Sequence, residues 1–205
     1  MIKRASKKYI NNLIKNNSHW NILDIGCGYT AHEKANTVCD TQDLSIFYKE
    51  KNFIRLNSKN LPFKDKEFDF VISSHVMEHV EDLQFFISEL ERVSKMGYIE
   101  VPTKLEDNLV FENKKDHLWH MEFDDDNLKL IISKKKQYFE PFLTVSSIKQ
   151  LNKYFRSSLV IELFWENTID YSILEEEKQE FVKFSLLVFF RKFISKKFRS
   201  LFRKF

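Results

Sequence analysis

The chain is poor in residues that bend or cross-link a backbone. Its 205 residues include three glycines, three prolines and two cysteines. The cysteines, Cys27 and Cys39, fit neither a disulfide nor a metal-ligand pattern, so we expect a reduced, cytoplasmic setting. Long apolar runs are also lacking, and no segment approaches the roughly 20 apolar residues of a membrane span or resembles a signal peptide. No repeat or low-complexity linker argues for a second domain.

The scarcity of glycine gives weight to the positions where it occurs. Gly26 and Gly28 stand two residues apart, directly after the apolar segment 20–25, which reads as a short buried strand. Glycines at this point let the main chain turn tightly and let a ligand approach the backbone N–H groups. The turn therefore predicts a site for a nucleotide-type cofactor. Residues 26–31 also fit the loose dinucleotide pattern G-x-G-x-x-A, which is a weak signal by itself.

Strand and helix signals alternate along the first half of the chain. Strands are predicted over 21–25, 38–40, 53–56, 68–73 and 98–101, with helices over 3–16 and 81–94, the second of them ended by Gly97 as a C-cap. This order predicts an α/β fold with a mostly parallel sheet. Only about ten residues separate Gly28 from the second strand, too few for a normal crossover helix. Polar loops with one or two short helices are expected over 105–143, a helix over 146–155, and strands over 159–165 and 181–190.

Acidic residues and a second motif follow the glycine turn. Asp24 lies inside the first strand, where a carboxylate faces a cationic ligand or caps the turn. Asp40 ends the second strand, from which an acid can accept both ribose hydroxyls, with Asp43 as a nearby competitor. Residues 57–63 and 68–80 then read NSKNLPF and FDFVISSHVMEHV.

In this order and spacing, residues 20–103 resemble the class I S-adenosylmethionine-dependent methyltransferases. The resemblance implies a Rossmann-like three-layer sheet with a C-terminal antiparallel strand and a shortened or missing first crossover helix. It also implies that S-adenosylmethionine is the cofactor. The implied cofactor-binding residues are Asp24, Gly26, Cys27, Gly28, Asp40, Asn57, Ser58, Ser74 and His75. Two positions depart from the family pattern: Asn57 stands where an acid is usual, and Tyr29 where small residues are.

Histidines supply the candidate catalytic groups. His117 and His120 lie beyond the fifth strand, where this fold builds its acceptor pocket, and His79 is a third candidate; each could act as a general base. The alternative for His117 and His120 is packing around Trp119. Residues 75–79 also spell the inverted zinc-protease motif H-x-x-E-H. Because His75 falls at a strand end, the two histidines do not share a helical face, and we expect no metal.

Charge is distributed unevenly, because residues 191–205 contain seven basic residues and no acid. With a formal net charge of +3 for the whole chain, the remainder carries −4. Over residues 190–205, apolar residues fall roughly along one helical face: Phe190, Ile194, Phe198, Leu201, Phe202 and Phe205. A basic amphipathic helix over 191–205 is typical of membrane-surface segments, while packing on the body or on a homodimer partner is the alternative. The acidic remainder argues against a nucleic-acid partner.

Together these features predict one methyltransferase domain over 1–190. The resemblance implies an in-line displacement, in which a nucleophilic atom of a small-molecule, sugar or lipid-linked glycan acceptor attacks the sulfonium methyl group and S-adenosylhomocysteine leaves. The expected location is the cytoplasm, with possible contact at the inner membrane face. The alternative is a catalytically inactive protein of the same fold that acts as a membrane-recruited partner in a biosynthetic complex. A nicotinamide-dependent oxidoreductase is disfavoured by the order of the motifs.

Overall fold

A computed structural model describes residues 1–174 and 186–202 of the chain. Within them the strands are Ile2–Arg4 (β1), Ile22–Ile25 (β2), Thr37–Asp40 (β3), Asn52–Arg55 (β4), Phe70–Ser74 (β5), Met96–Pro102 (β6), Trp119–Asp124 (β7), Lys129–Lys134 (β8), Val160–Glu166 (β9) and Tyr171–Ile173 (β10). The α-helices are Lys7–Asn16 (α1), Leu83–Val93 (α2), Lys104–Leu109 (α3), Asn113–Asp116 (α4), Val145–Leu159 (α5) and Leu186–Phe202 (α6), and Met77–His79 forms a short 3-10 helix.

Seven strands form one sheet in the order β1-β9-β6-β5-β2-β3-β4. The pairs among β2 to β6 are parallel, whereas β9 pairs antiparallel with both β6 and β1. The chain runs outward from β2 to β4 and then returns to β5 on the other side of β2. This reversal between β2 and β5 creates a crevice at the carboxyl ends of the strands, where ligands bind in open α/β sheets.

The first crossover contains no helix, as predicted. Residues 26–36 pass from β2 to β3 as turns and bends. Side chains hold this segment: the Tyr48 hydroxyl donates to Gly28 O at 2.8 Å and accepts from Ala31 N at 3.0 Å. The Lys51 ammonium donates to main-chain oxygens of the same segment, including Ala35 O at 2.7 Å. These bonds replace the backbone ladder that a helix would supply.

The two ends of the described body differ from the predicted pattern. Ile2–Arg4 is not the start of a helix but an edge strand, because it pairs with β9 from the other end of the chain. Helix α1 then begins after the Ser6 cap and buries Ile10 and Ile14. The predicted strand 181–190 is wrong where the structure describes it, since α6 begins at Leu186; residues 181–185 lie outside the described residues.

Gly97 lies inside β6 and does not cap α2, which ends at Val93 with Ser94 as its C-cap. A Cβ atom at position 97 would lie 2.5 Å from the Val71 carbonyl oxygen and 2.8 Å from Trp165 Nε1. Close approach of neighbouring strands, and not a helix end, therefore requires this glycine.

Residues 105–143 contain more regular structure than the sequence suggested. Besides α3 and α4 they contain the β7–β8 hairpin, which β10 extends into a three-stranded sheet. The hairpin residues Trp119, Met121 and Leu130 share one core cluster with Leu23 and Val71 of the large sheet. The small sheet thus packs on the large one around a common core. No helix in the described part of the chain has the length and hydropathy needed to cross a membrane.

Candidate functional site

The glycine turn leaves β2 in a left-handed conformation, with φ of +62° at Gly26 and +46° at Gly28. Gly26 N–H donates to Cys39 O at 2.8 Å, which fixes the turn against β3. A Cβ at Gly26 would lie 2.5 Å from Val76 Cγ2, whereas a Cβ at Gly28 would meet open space. Gly26 is therefore required by both conformation and packing, while Gly28 keeps the backbone open to a ligand.

Asp40 links the end of β3 to the glycine turn. Its Oδ2 accepts from Gly28 N at 2.9 Å, and its Oδ1 accepts from Gln42 N at 2.9 Å. The competing acid, Asp43, accepts instead from the backbone and the hydroxyl of Ser45. Only Asp40 of the two lines the cavity described next, so the geometry favours Asp40 for ligand contact.

Two cavities meet at the turn and share Gly26 and His75. The larger, of about 890 Å³, extends over the ends of β3 and β4, and its lining includes Asp40, Thr41, Asn57, Ser58 and His79. The smaller, of about 310 Å³, lies between the turn and α1, and its lining includes Asp24, Cys27, Gly28, Ser74 and Tyr98. All nine predicted cofactor residues line one cavity or the other.

Asp24 is buried at the base of the smaller cavity. Burial raises the pKa of its carboxyl to about 6, while a hydrogen bond from His32 N at 2.7 Å works in the opposite direction. The carboxylate therefore both fixes the crossover segment and places negative charge in the cavity at neutral pH. Cys27 differs, because burial raises the pKa of its thiol to about 12, which keeps it protonated and unreactive.

His75 follows β5 in a left-handed conformation, with φ of +56°. Its Nδ1 lies 3.2 Å from Glu78 Oε1, and its Nε2 lies 3.3 Å from Glu100 Oε1. Burial disfavours the charged ring, but these two carboxylates outweigh it and raise the pKa of His75 to about 10. An imidazolium thus stands where the two cavities meet.

A buried ionic network that the motifs did not predict supports His75. Glu100 Oε2 accepts from the Tyr98 hydroxyl and from Arg156 Nη2, both at 2.6 Å. Nearby Glu106 is also buried, which raises the pKa of its carboxyl to about 7. The one sequence signal was Glu100 itself, an acid in the middle of an apolar strand; Arg156 comes from α5, and nothing local connects it to the site.

The three candidate catalytic histidines lie in different surroundings. His79 is exposed and lines the larger cavity. His117 is buried behind it, with the two rings edge to face at 4.5 Å between centroids. His120 is fully buried; its Nε2 lies 3.0 Å from Asp107 Oδ2, and His117 Nδ1 lies 2.5 Å from Asp107 Oδ1. The lining of the two cavities, as the structure describes it, includes His79 but neither His117 nor His120.

Residues 23–99 match the family model of a methyltransferase domain. An uncharacterized protein of Methanocaldococcus jannaschii is 30% identical over 142 residues, which are 62% of this chain and 62% of that protein. The chain thus spans less than two thirds of the length of this relative.

Two solved structures illustrate the similarity in shape. The PH0226 protein of Pyrococcus horikoshii aligns over 78% of this chain and 92% of its own, with 16% identity and a TM-score of 0.42. An S-adenosylmethionine-dependent methyltransferase of Mesorhizobium loti aligns over 43% and 50%, with 18% identity and a TM-score of 0.38.

Proposed function

We propose that the chain transfers a methyl group from S-adenosylmethionine to a small-molecule acceptor, because residues 23–99 match the family model of a methyltransferase domain. Sugars and lipid-linked glycans are included in this class. The observation that carries the proposal is the junction of the two cavities at Gly26 and His75. A larger cavity of about 890 Å³ suits an adenosine group together with an adjoining acceptor.

The residues at the junction fit the three chemical parts of the cofactor. Asp40 retains free lone pairs for the ribose hydroxyls, because each carboxylate oxygen accepts more than one hydrogen bond. The amide oxygen of Asn57 can accept from the adenine amino group, beside Ser58. Asp24 and the Gly28 backbone would hold the amino-acid end, where the negative charge of Asp24 attracts a cation. When bound, the cofactor supplies a methyl group already activated on a sulfonium sulfur.

We assign His79 to the side of the larger cavity where the acceptor would bind. Its Nδ1 lies 2.9 Å from Asp116 O, and a carbonyl oxygen can only accept, so Nδ1 carries the proton. Nε2 then has a lone pair that can take a proton from an acceptor hydroxyl or amine. Catalysis would rest mainly on holding the acceptor in line with the methyl group.

Isothermal titration calorimetry of the full chain with S-adenosylmethionine tests the proposal, with NADH as the negative control. We expect one cofactor per chain and no heat from NADH. A folded protein that binds neither ligand would contradict the proposal. Single-turnover assays with extracts of the native host then separate the enzyme from the inactive alternative, because formation of S-adenosylhomocysteine requires methyl transfer.

We propose, as a separate point, that α6 binds an anionic membrane surface. Phe190, Phe193 and Phe198 are 67%, 59% and 59% exposed, and the basic residues between them are exposed as well. An apolar face flanked by Lys and Arg is what such surfaces attract. The side chains of Leu201 and Phe202, and all of Phe205, lie outside the described part of the chain.

Sedimentation with anionic vesicles tests this second proposal. Deleting residues 191–205 is expected to abolish sedimentation, and Phe198→Ser is expected to weaken it. Phe111→Ser is the matched control, because Phe111 is 52% exposed but lies outside α6. Full-length protein that stays in the supernatant would exclude membrane binding, and sedimentation equilibrium of the same samples would report a homodimer.

A further inference from the structure

Three potential metal ligands from two segments of the chain come together beside the larger cavity. Glu78, His79 and His117 each offer one ligand atom, and these atoms lie within 4.8 Å of one another. Glu78 and His79 belong to the 3-10 helix after β5, whereas His117 lies between α4 and β7. The backbone holds the two segments together, because Leu118 N–H donates to Glu78 O at 2.7 Å.

Both imidazoles have one ring nitrogen close to an oxygen atom. His79 Nδ1 forms a hydrogen bond of 2.9 Å with the Asp116 carbonyl oxygen, whereas His117 Nδ1 forms an ion-pair contact of 2.5 Å with the Asp107 carboxylate, without hydrogen-bond geometry. Metal-binding histidines usually donate the second ring N–H to a carboxylate or a backbone carbonyl, which fixes the tautomer. Both histidines therefore have Nε2 left as the nitrogen that can bind a metal.

Glu78 supplies an independent sign that a ligand is missing. The residue is 1% exposed, and its Oε1 lies 3.2 Å from His75 Nδ1. Its Oε2 is buried and has no hydrogen-bond partner in the described part of the chain. A buried carboxylate oxygen without a partner is costly, and a bound cation would remove that cost.

We propose that Glu78, His79 and His117 bind a divalent transition-metal ion through the two Nε2 atoms and the carboxylate. Two imidazoles and one carboxylate are the ligands of known catalytic zinc sites, in which further positions stay open. Zn–N distances of about 2.1 Å require the ligand atoms to lie closer together than 4.8 Å. Since His79 is exposed, its side chain can rotate to complete that approach.

The proposed ligands revise the interpretation of the H-x-x-E-H motif. His75 is not available, because both of its ring nitrogens lie near carboxylates, those of Glu78 and Glu100. Its place is taken by His117, about 40 residues downstream in the sequence. The sequence expectation of no metal relied on the position of His75 and did not consider this third residue.

A metal here would change the role of His79 in the reaction. Its Nε2 would no longer accept a proton; the open metal positions would instead bind an acceptor oxygen and lower the pKa of a hydroxyl. This consequence rests on the proposed function, whereas metal binding itself does not. An acceptor that bears a hydroxyl beside a second oxygen would suit such a site.

Titration of chelator-treated full-length protein with Co²⁺ and Zn²⁺, without cofactor, tests the site. We expect one ion per chain, a visible Co²⁺ spectrum and its displacement by Zn²⁺. Removing a residue that only hydrogen-bonds to a metal ligand usually weakens metal binding about 10- to 100-fold. His79→Ala removes a ligand itself, so it should weaken binding by at least about 100-fold. Because His79 is exposed, this variant should fold, as circular dichroism would verify. Glu78→Gln should also weaken binding.

Two control variants make the result decisive. His19→Ala removes an exposed imidazole outside the cluster and should leave metal binding unchanged. His75→Ala removes the motif histidine that we exclude as a ligand; because His75 Nδ1 lies 3.2 Å from Glu78 Oε1, this variant should weaken binding by no more than about 10- to 100-fold, and by less than His79→Ala does. Absence of stoichiometric binding would overturn the proposal, as would equal affinities of His79→Ala and His19→Ala. Calorimetry of His79→Ala with S-adenosylmethionine reports separately on the proposed function, since retained cofactor binding would leave it intact.

Discussion

Replacement of Asp40 by Asn tests the cofactor assignment with the smallest change in shape. Asn keeps one acceptor oxygen but loses the charge. Hydrogen bonds to charged groups contribute about 1.5–3 kcal/mol, against about 1 kcal/mol for neutral pairs. Weakening two ribose contacts should therefore cost roughly 2 kcal/mol, which is about a 30-fold increase in Kd for S-adenosylmethionine. The bonds to Gly28 N and Gln42 N would weaken as well, so a small loss of thermal stability is expected.

Calorimetric titration of Asp40→Asn, Asp43→Asn and the wild type measures this difference. Asp43→Asn is the matched control, because Asp43 lies three residues away and its side chain accepts from Ser45, and not from the glycine turn. We expect its affinity to equal that of the wild type. Equal affinities of Asp40→Asn and the wild type would refute the ribose assignment, and a loss confined to Asp43→Asn would transfer it to that residue.

Four further substitutions test the backbone and the charge network. Gly26→Ala should lower the free energy of unfolding by about 1–3 kcal/mol and abolish cofactor binding. Gly28→Ala, whose new methyl group meets open space, should lower the free energy of unfolding by about 1–2 kcal/mol. Urea unfolding measures both changes. Gly97→Ala should destabilise by about 1–3 kcal/mol in the same assay, because the new methyl group meets the Val71 carbonyl oxygen as well as the side chains of Val71 and Trp165. Because the pKa of His75 is raised to about 10, its ion pairs stabilise the fold fully below about pH 6.5, and this stabilisation is lost as the pH rises through about 10. The difference in unfolding free energy between the wild type and His75→Gln should therefore shrink over that interval. A constant difference would contradict the ion pairs.

The central sheet could be predicted from the sequence because its strands are short apolar runs with local boundaries. The absence of a first crossover helix followed from the small number of residues between Gly28 and the second strand, and the structure has no helix there. Strand β1 could not be predicted in the same way, since Ile2–Arg4 is a strand only through its partner β9. The β7–β8 hairpin was also missed: its turn ends at Leu128, with φ of +51°, where no glycine marks the reversal.

The residues of the site also divide into those that a local sequence pattern indicates and those that depend on distant parts of the chain. The cofactor-binding residues implied by the resemblance lie at or just after the ends of parallel strands, and such strand ends meet at one edge of the sheet. The partners of the histidines were not predictable. Asp107 holds His117 and His120 from helix α3, and Arg156 reaches Glu100 from α5. Such contacts depend on how the second half of the chain packs over the sheet, which no local pattern encodes.

The absence of a first crossover helix changes how the segment 26–36 is stabilised. A helix would satisfy its own backbone and present an N-terminal dipole to the ligand. Here Asp24 accepts from His32 N and Asp40 accepts from Gly28 N, so two carboxylates satisfy backbone N–H groups that a helix would satisfy itself. The same two carboxylates are those that we assign to the cofactor. Order in the segment 26–36 and occupancy of the site should therefore be coupled, because a ligand that binds either acid acts on the bonds that hold the loop.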